Sequence, residues 1–511
     1  MKRISKYLLE QINYCYLFFV GLTFFGAIRS KNLNISELPH MFVFFLFFSV
    51  IILFIILAHS SLKSSVILFM KRALFFFKRK IFIITLILFI STITCQIFVL
   101  MNVTTAIGWD VGGVISNVSN PSRINDYLSV YPNNQLYFFI MYFYNIVISS
   151  FSPELSGQWI IFQIFNIILI DVAALILYMG TKELFNKKVA YLSLYLYMGL
   201  FMLSPWIMVP YTDQISLLLV TIVLYLYSNL KNISGLPFLL TVIVLGIIIG
   251  VSFLIKPSSI IYAVAWAIMK IIKYIERPYW DWKNIILSGL VVISFCLPLI
   301  IFDHFMSNQE IVKIDSKKAM PWTHFVMMGL SGNGGYNADD VKRDKDIKDP
   351  ALRKESNVDI IKQRLRNHKP YGYTAFLIQK HFNNTDRGDF GWGTDGTPQI
   401  PKEKSKNRIQ SFLRDLYYQQ GKKTSIIRFC MQVIWLIIII GLIYSHRINK
   451  DHFIVFCMKL TIIGAFLYLL LFEGGRSRYL IQYLPFFLII SSNGLISWLN
   501  SYSNRIERFS I

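Results

Sequence analysis

Thirteen apolar segments of near membrane-crossing length recur along the 511-residue chain, at about 10–30, 40–60, 81–101, 133–151, 157–180, 189–204, 214–230, 236–254, 257–275, 285–303, 426–445, 452–472 and 478–499. A run of ~20 apolar residues crosses a bilayer as a helix, because no water is present there to satisfy an open backbone. That recurrence predicts an all-α polytopic membrane protein. The run Ile12–Ile28 has no small-residue cleavage site and lies among many similar runs. It reads as a span, not a signal peptide.

The formal net charge is +23. In a polytopic chain such charge belongs to cytoplasmic loops and anionic headgroups, so membrane lipids are expected partners and nucleic acid is not. Cys15, Cys95, Cys296, Cys430 and Cys457 all fall inside apolar runs without CxxC spacing. Neither a disulfide framework nor a zinc site is expected.

Charge also orients the spans. The basic start (Lys2, Arg3, Lys6) and the cluster from Lys63 to Lys80 belong inside. If 133–151 crossed the membrane, three basic stretches would lie outside: Lys182–Lys188, Lys270–Lys283 and His446–Lys450. Laying 133–151 in the outer interface returns all three to the inside. Its Tyr137, Tyr142, Tyr144 and Asn145 suit an interfacial helix. This reading gives about twelve transmembrane helices, both termini inside, and interfacial helices in the first large outer loop. The segment 304–425 has no long apolar run and is expected to form a small extracytoplasmic domain. The chain then divides into an N-terminal two-span extension with a cytoplasmic loop (1–80), a transmembrane core (81–303, outer loop 102–156), the outer domain (304–425) and C-terminal spans (426–511).

Several polar residues collect at the outer ends of these spans. Asp110 follows Trp109 just past the third run, and Asp213 precedes a later one. Two such carboxylates can activate a hydroxyl or hold a divalent metal ion; each can equally cap a helix or turn. Lys256 stands between two runs with almost no loop. Arg476 and Arg478 follow Glu473 and precede Tyr479. Outer-face cations suit a phosphate group, or else a Glu473–Arg pair and a snorkelling lysine. Asp171 lies within a run, where it marks an ion path or bonds to a polar neighbour. His324 can contact a sugar or serve as a base, and Trp392 can stack on one; both also read as buried structural groups. No nucleotide-binding loop, zincin motif or nucleophile elbow is present.

The order of Gly108-Trp-Asp-Val-Gly, Tyr131-Pro-Asn-Asn-Gln, Pro210-Tyr-Thr-Asp, Ile255-Lys-Pro-Ser, Thr323-His-Phe-Val-Met-Met-Gly-Leu, Phe390-Gly-Trp-Gly and Gly475-Arg-Ser-Arg-Tyr-Leu resembles the GT-C class. These are membrane glycosyltransferases that use polyprenyl-phosphate sugars, such as protein O-mannosyltransferases and lipid A aminoarabinose transferases. The chain looks most like an uncharacterised Gram-positive integral-membrane family placed in that class. The resemblance implies a GT-C-like fold in a bacterial plasma membrane. It implies transfer from a polyprenyl-phosphate-linked sugar to an extracytoplasmic glycan or wall-polymer acceptor. Asp110 matches the catalytic acid of the first outer loop and Asp213 the second outer acid, both possible metal ligands. Trp109, Tyr131, Asn133, Asn134, Lys256, His324, Trp392, Glu473, Arg476, Arg478 and Tyr479 are the implied substrate-binding residues. Tyr131-Pro-Asn-Asn departs from the Lys-Pro-Pro-Leu motif of aminoarabinose transferases, leaving Lys256 or Arg476 and Arg478 to supply the missing charge. The rival expectation is a transporter or flippase of lipid-linked saccharides.

Overall fold

The computed structural model describes residues 2–276, 282–393, 403–447 and 453–509. Among them every extended element is helical and no strand occurs. The N-terminal part comprises α1 (Lys2–Ile28), α2 (His40–Ala58), α3 (Ser60–Val103), α4 (Trp109–Ile115), α5 (Asn125–Val130) and α6 (Gln135–Phe151). The central part comprises α7 (Trp159–Leu184), α8 (Lys187–Tyr197), α9 (Thr212–Asn229), α10 (Gly235–Ile255), α11 (Ile261–Glu276) and α12 (Trp282–Asn308). Then come α13 (Trp322–Met328), α14 (Ala338–Asp346), α15 (Pro350–Thr385), α16 (Arg408–Tyr417), α17 (Thr424–Tyr444), α18 (Phe453–Leu471) and α19 (Leu484–Phe509).

Eleven helices among the described residues are long and apolar enough to cross a membrane, so the chain is a multi-pass membrane protein. The expected twelfth, 189–204, is built differently. Helix α8 gives way to a π-turn at Met198–Met202, with buried polar residues such as Ser193 along it. It still carries the chain between the two ends of the bundle, but packed against α7 and α19. The basic cluster 63–80 continues the third span as a helix, broken only at Lys80 (φ −114°, ψ 17°). A run of lysines and arginines outside the bilayer needs no loop to stay solvated.

Helix α6 keeps to one end of the bundle. Its Tyr137 hydroxyl donates to Pro210 O at 2.5 Å, and Tyr144 donates to Ile161 O at 3.1 Å, near the start of α7. Phe139 meets Phe305, at the end of α12, with centroids 4.8 Å apart. These partners agree with a helix lying along the interface rather than crossing it.

The core is formed by α7 against α8 and α9, α10 against α12, α11 against α18, and α17 against α19, with α1 packed on α17 and α18. Side-chain amides within it clamp an irregular, fully buried turn, Ser204–Tyr211. Asn166 Nδ2 donates to Trp206 O and Ile207 O (2.9 and 2.8 Å), and Gln163 Nε2 donates to Met208 O (3.0 Å). Gln96 Nε2 bridges Met202 O and Asp171 Oδ1, both at 2.9 Å. Non-helical backbone at this depth is tolerated because protein groups satisfy it. Asp171 is thereby tied into the scaffold.

The segment 304–425 docks into the bundle. Helix α15 breaks at Lys369 (φ 53°), before Pro370, and its second half packs on α1 and α18. There Lys380 Nζ donates to Gly329 O, Leu470 O and Phe472 O at 2.6, 3.0 and 2.7 Å. His381 Nε2 lies 3.0 Å from Thr23 Oγ1 and 3.2 Å from Phe19 O.

Candidate functional site

The alternation of helix direction gathers α4, the 204–211 turn, the α10–α11 junction and the segment before α19 at one bundle end. That end lies opposite the basic stretches 63–80 and 182–188. Each segment brings one part of a cluster.

Helix α4 opens on Gly108 and takes a left-handed Trp109 (φ 50°), with Asp110 in its first turn. Gly112 permits the tight entry, since a Cβ there would stand 2.3 Å from Ile107 O. Tyr211 donates its hydroxyl to Asp110 Oδ2 at 3.1 Å. The Tyr127 hydroxyl receives Asn134 Nδ2 at 2.6 Å and lies close enough to Asp110 to feel its charge. Asn134 thus reaches Asp110 through Tyr127. Burial, followed by the Asp110 charge, holds the phenols of Tyr127 and Tyr211 well above their usual range, so both remain donors.

Asp213 lies one residue inside α9, and Tyr211 takes the N-cap position. The carboxylate does not cap the helix. Instead it accepts from Lys256 Nζ through Oδ1 and stands 3.5 Å from Arg478 Nε through Oδ2. Its place in the first helical turn further favours its charge. Lys256 sits where α10 ends, because Pro257 has no N–H to continue it. Burial lowers its pKa while the Asp213 carboxylate opposes that shift. The junction is clamped to the segment before α19: Ser258 Oγ and Gln482 Oε1 are 3.3 Å apart, and Tyr483 donates to Ser258 O at 2.5 Å.

Arg478 lies between Asp213 and the Trp109 ring beside Asp110. Its guanidinium lies 4.2 Å over the Trp109 ring, 5.2 Å from that of Tyr479 and 5.3 Å from that of Tyr211. Tyr479 lies 5.1 Å below the Lys256 ammonium and donates to Glu473 Oε1 at 3.1 Å. Burial raises the Glu473 carboxyl, opposed by Arg476, the Tyr479 hydrogen bond and Arg478. Gly475 (φ 73°) lets this loop fold back, with its N–H held by Asn384 Oδ1 at 2.5 Å.

Of the residues expected from sequence, Trp109, Asp110, Asp213, Lys256, Glu473, Arg476, Arg478 and Tyr479 converge, with Asn134 one hydrogen bond behind Tyr127. Tyr131 packs on Tyr127 with centroids 5.2 Å apart, while Asn133 is exposed on the turn before α6. His324 does not face this cluster. It is fully buried, with Nδ1 2.7 Å from Asp344 Oδ2, which also takes Asn357 Nδ2 at 2.9 Å. Trp392 is likewise buried, edge-on to Trp206 at 5.6 Å. Among the described residues no three His, Cys, Asp or Glu side chains converge as a metal site. Tyr127 and Tyr211 went unselected on sequence. Tyr211 lies within Pro210-Tyr-Thr-Asp, but nothing in that motif says that its hydroxyl points back to α4.

No curated protein and no solved structure matches this chain. One family does, and its match runs from the start of the first span almost through the last, so the two N-terminal spans are part of what the family shares. Over residues 4–498 the chain matches, and so belongs to, a family described as conserved hypothetical integral membrane proteins.

Proposed function

We propose that this protein is a membrane glycosyltransferase, moving a sugar from a polyprenyl-phosphate donor to a hydroxyl of an extracytoplasmic glycan or wall polymer. The observation that carries the reading is the joining of one carboxylate to a cation pair. Asp110 is held by Tyr211, and Arg478, stacked on the neighbouring Trp109, shares Asp213 with Lys256.

In this reading Asp110 takes the proton of the acceptor hydroxyl as its oxygen attacks the anomeric carbon. The bond from that carbon to the phosphate oxygen breaks, and polyprenyl phosphate leaves with the electron pair. Lys256 and Arg478 with Asp213 carry one net positive charge. That charge balances the phosphodiester of the donor and attracts the leaving monoester, which gains negative charge as the bond breaks, more strongly. A contact that strengthens along the reaction lowers its barrier. Asp213 is then the counter-ion that sets the two cations in place, not a second base.

The test is transfer of labelled sugar from a synthetic polyprenyl-phosphate donor by purified protein. Asp110→Asn should abolish transfer while leaving insertion and thermal stability intact. Transfer at the normal rate by that variant would remove the assignment. Movement of intact donor across vesicles without bond cleavage would favour a flippase.

A further inference from the structure

A second feature lies in the membrane-spanning part and does not depend on sugar transfer. Six helices surround a cavity of about 1120 Å³. Each contributes to its lining: Tyr227 from α9, Leu245 from α10, Trp266 from α11, Val291 from α12, Met458 from α18 and Phe486 from α19. The volume exceeds the ~300–1,000 Å³ usual for small-ligand sites, and the lining is mostly apolar.

The charged groups of this cavity gather at one end. Lys270, Lys273, Tyr274 and Asn284 line it near the last turns of α11 and the first turn of α12. That is the end of the bundle opposite Asp110. Lys270 Nζ lies 4.9 Å from the Trp266 ring and 6.0 Å from Phe453, and Lys273 Nζ lies 5.8 Å from Phe453. The two ammonium groups therefore converge on one aromatic ring. Both side chains are exposed, and no carboxylate among the described residues forms an ion pair with either.

The opposite end is marked by Tyr262 stacked on Phe486, centroids 6.2 Å apart. From Tyr262 to Lys273 the helix rises ~16 Å at ~1.5 Å per residue. That is about half of a ~30 Å hydrocarbon core, or one leaflet. We infer that this cavity binds an anionic glycerophospholipid of the leaflet that faces the basic loops, its phosphate at Lys270 and Lys273 and an acyl chain along the groove. The length favours an ordinary acyl chain over a polyprenyl tail, which is several times longer. The charge favours an acidic headgroup over a zwitterionic one.

Native mass spectrometry of the full-length protein in detergent tests this, with phosphatidylglycerol, phosphatidylcholine and undecaprenyl phosphate added in turn. Phosphatidylglycerol should be retained about 25-fold over phosphatidylcholine, each lysine contributing about fivefold as a surface lysine does. The K270Q/K273Q variant should lose that preference. Ala267→Trp, which fills the groove, should lower retention of both phospholipids. Equal retention of the two by the natural protein would overturn the inference, a measurement that needs no variant to fold. So would a preference that survives K270Q/K273Q, tighter retention of undecaprenyl phosphate than phosphatidylglycerol, or a second copy of the chain excluding lipid.

Discussion

The guanidinium of Arg478 lies 4.2 Å over the ring of Trp109, the residue beside Asp110, while its Nε stands 3.5 Å from Asp213. One side chain thus ties Asp213 to the residue beside Asp110, about a hundred residues away in the chain. Its geometry depends on a flat, delocalised cation. Arg478→Lys keeps the charge but loses the stacking and the fork of donors. On the proposed chemistry it should lower kcat by about 10²-fold, the size expected for one displaced charge-stabilising donor. Sugar-transfer kinetics check this, and a rate within twofold of the natural protein would place Arg478 outside the chemistry.

Asp213 and Lys256 form a buried pair whose partners fail differently alone and together. Asp213→Asn leaves the ammonium without its carboxylate, and Lys256→Met leaves the carboxylate with Arg478 alone. Loss of one member of a buried pair costs about 3–5 kcal/mol. The double variant should be less destabilised than the sum of the singles, with a coupling of about 1–3 kcal/mol. Denaturant titration of the protein in detergent reads all four corners of this cycle. Additive effects would mean that the two groups do not share one ion pair.

Much of this was legible in the sequence because a bilayer restricts what an apolar run can do. Helical class, the interfacial placement of 133–151 and the gathering of Asp110, Lys256 and Arg478 at one end all follow from hydropathy and charge. The 204–211 turn was not legible, since its clamp comes from Gln163 and Asn166, side-chain amides on the separate helix α7. The same holds for His324 and Trp392. A histidine or tryptophan in a polar segment looks alike whether it meets a sugar or a buried aspartate. Only the fold of α13, α14 and α15 around His324 decides it.

Asn134 donates to Tyr127 at 2.6 Å, and Tyr127 lies beside Asp110, so Asn134 acts on the carboxylate only through the phenol. Tyr211 acts on it directly. Tyr211→Phe removes the donor that holds the Asp110 carboxylate in place, so the acceptor hydroxyl should meet a less well oriented base. In sugar-transfer kinetics kcat should fall about tenfold, the size of one hydrogen bond to a charged group. Asn134→Leu should lower kcat less, because it acts only through Tyr127. A rate within twofold of the natural protein for Tyr211→Phe would place its hydroxyl outside the chemistry.

Asp386 supplies a test outside the site. Burial raises its carboxyl to about 7 from the usual 3.8, with Arg387 opposing and Asp389 adding to the rise. One oxygen, Oδ1, is buried without a hydrogen-bond partner. A carboxyl raised in the folded state leaves stability intact below the unfolded pKa and diminishes it as pH rises through the folded value. The natural protein should therefore lose stability between about pH 4 and pH 7. Asp386→Asn cannot ionise and should escape that loss. Thermal unfolding in detergent should show the two proteins alike at pH 4, with the variant melting about 2 °C or more higher at pH 8, as a gain of about 1 kcal/mol would produce. A variant less stable at pH 8 would mean that the ionised carboxylate is paired in the folded protein and that burial does not dominate its environment.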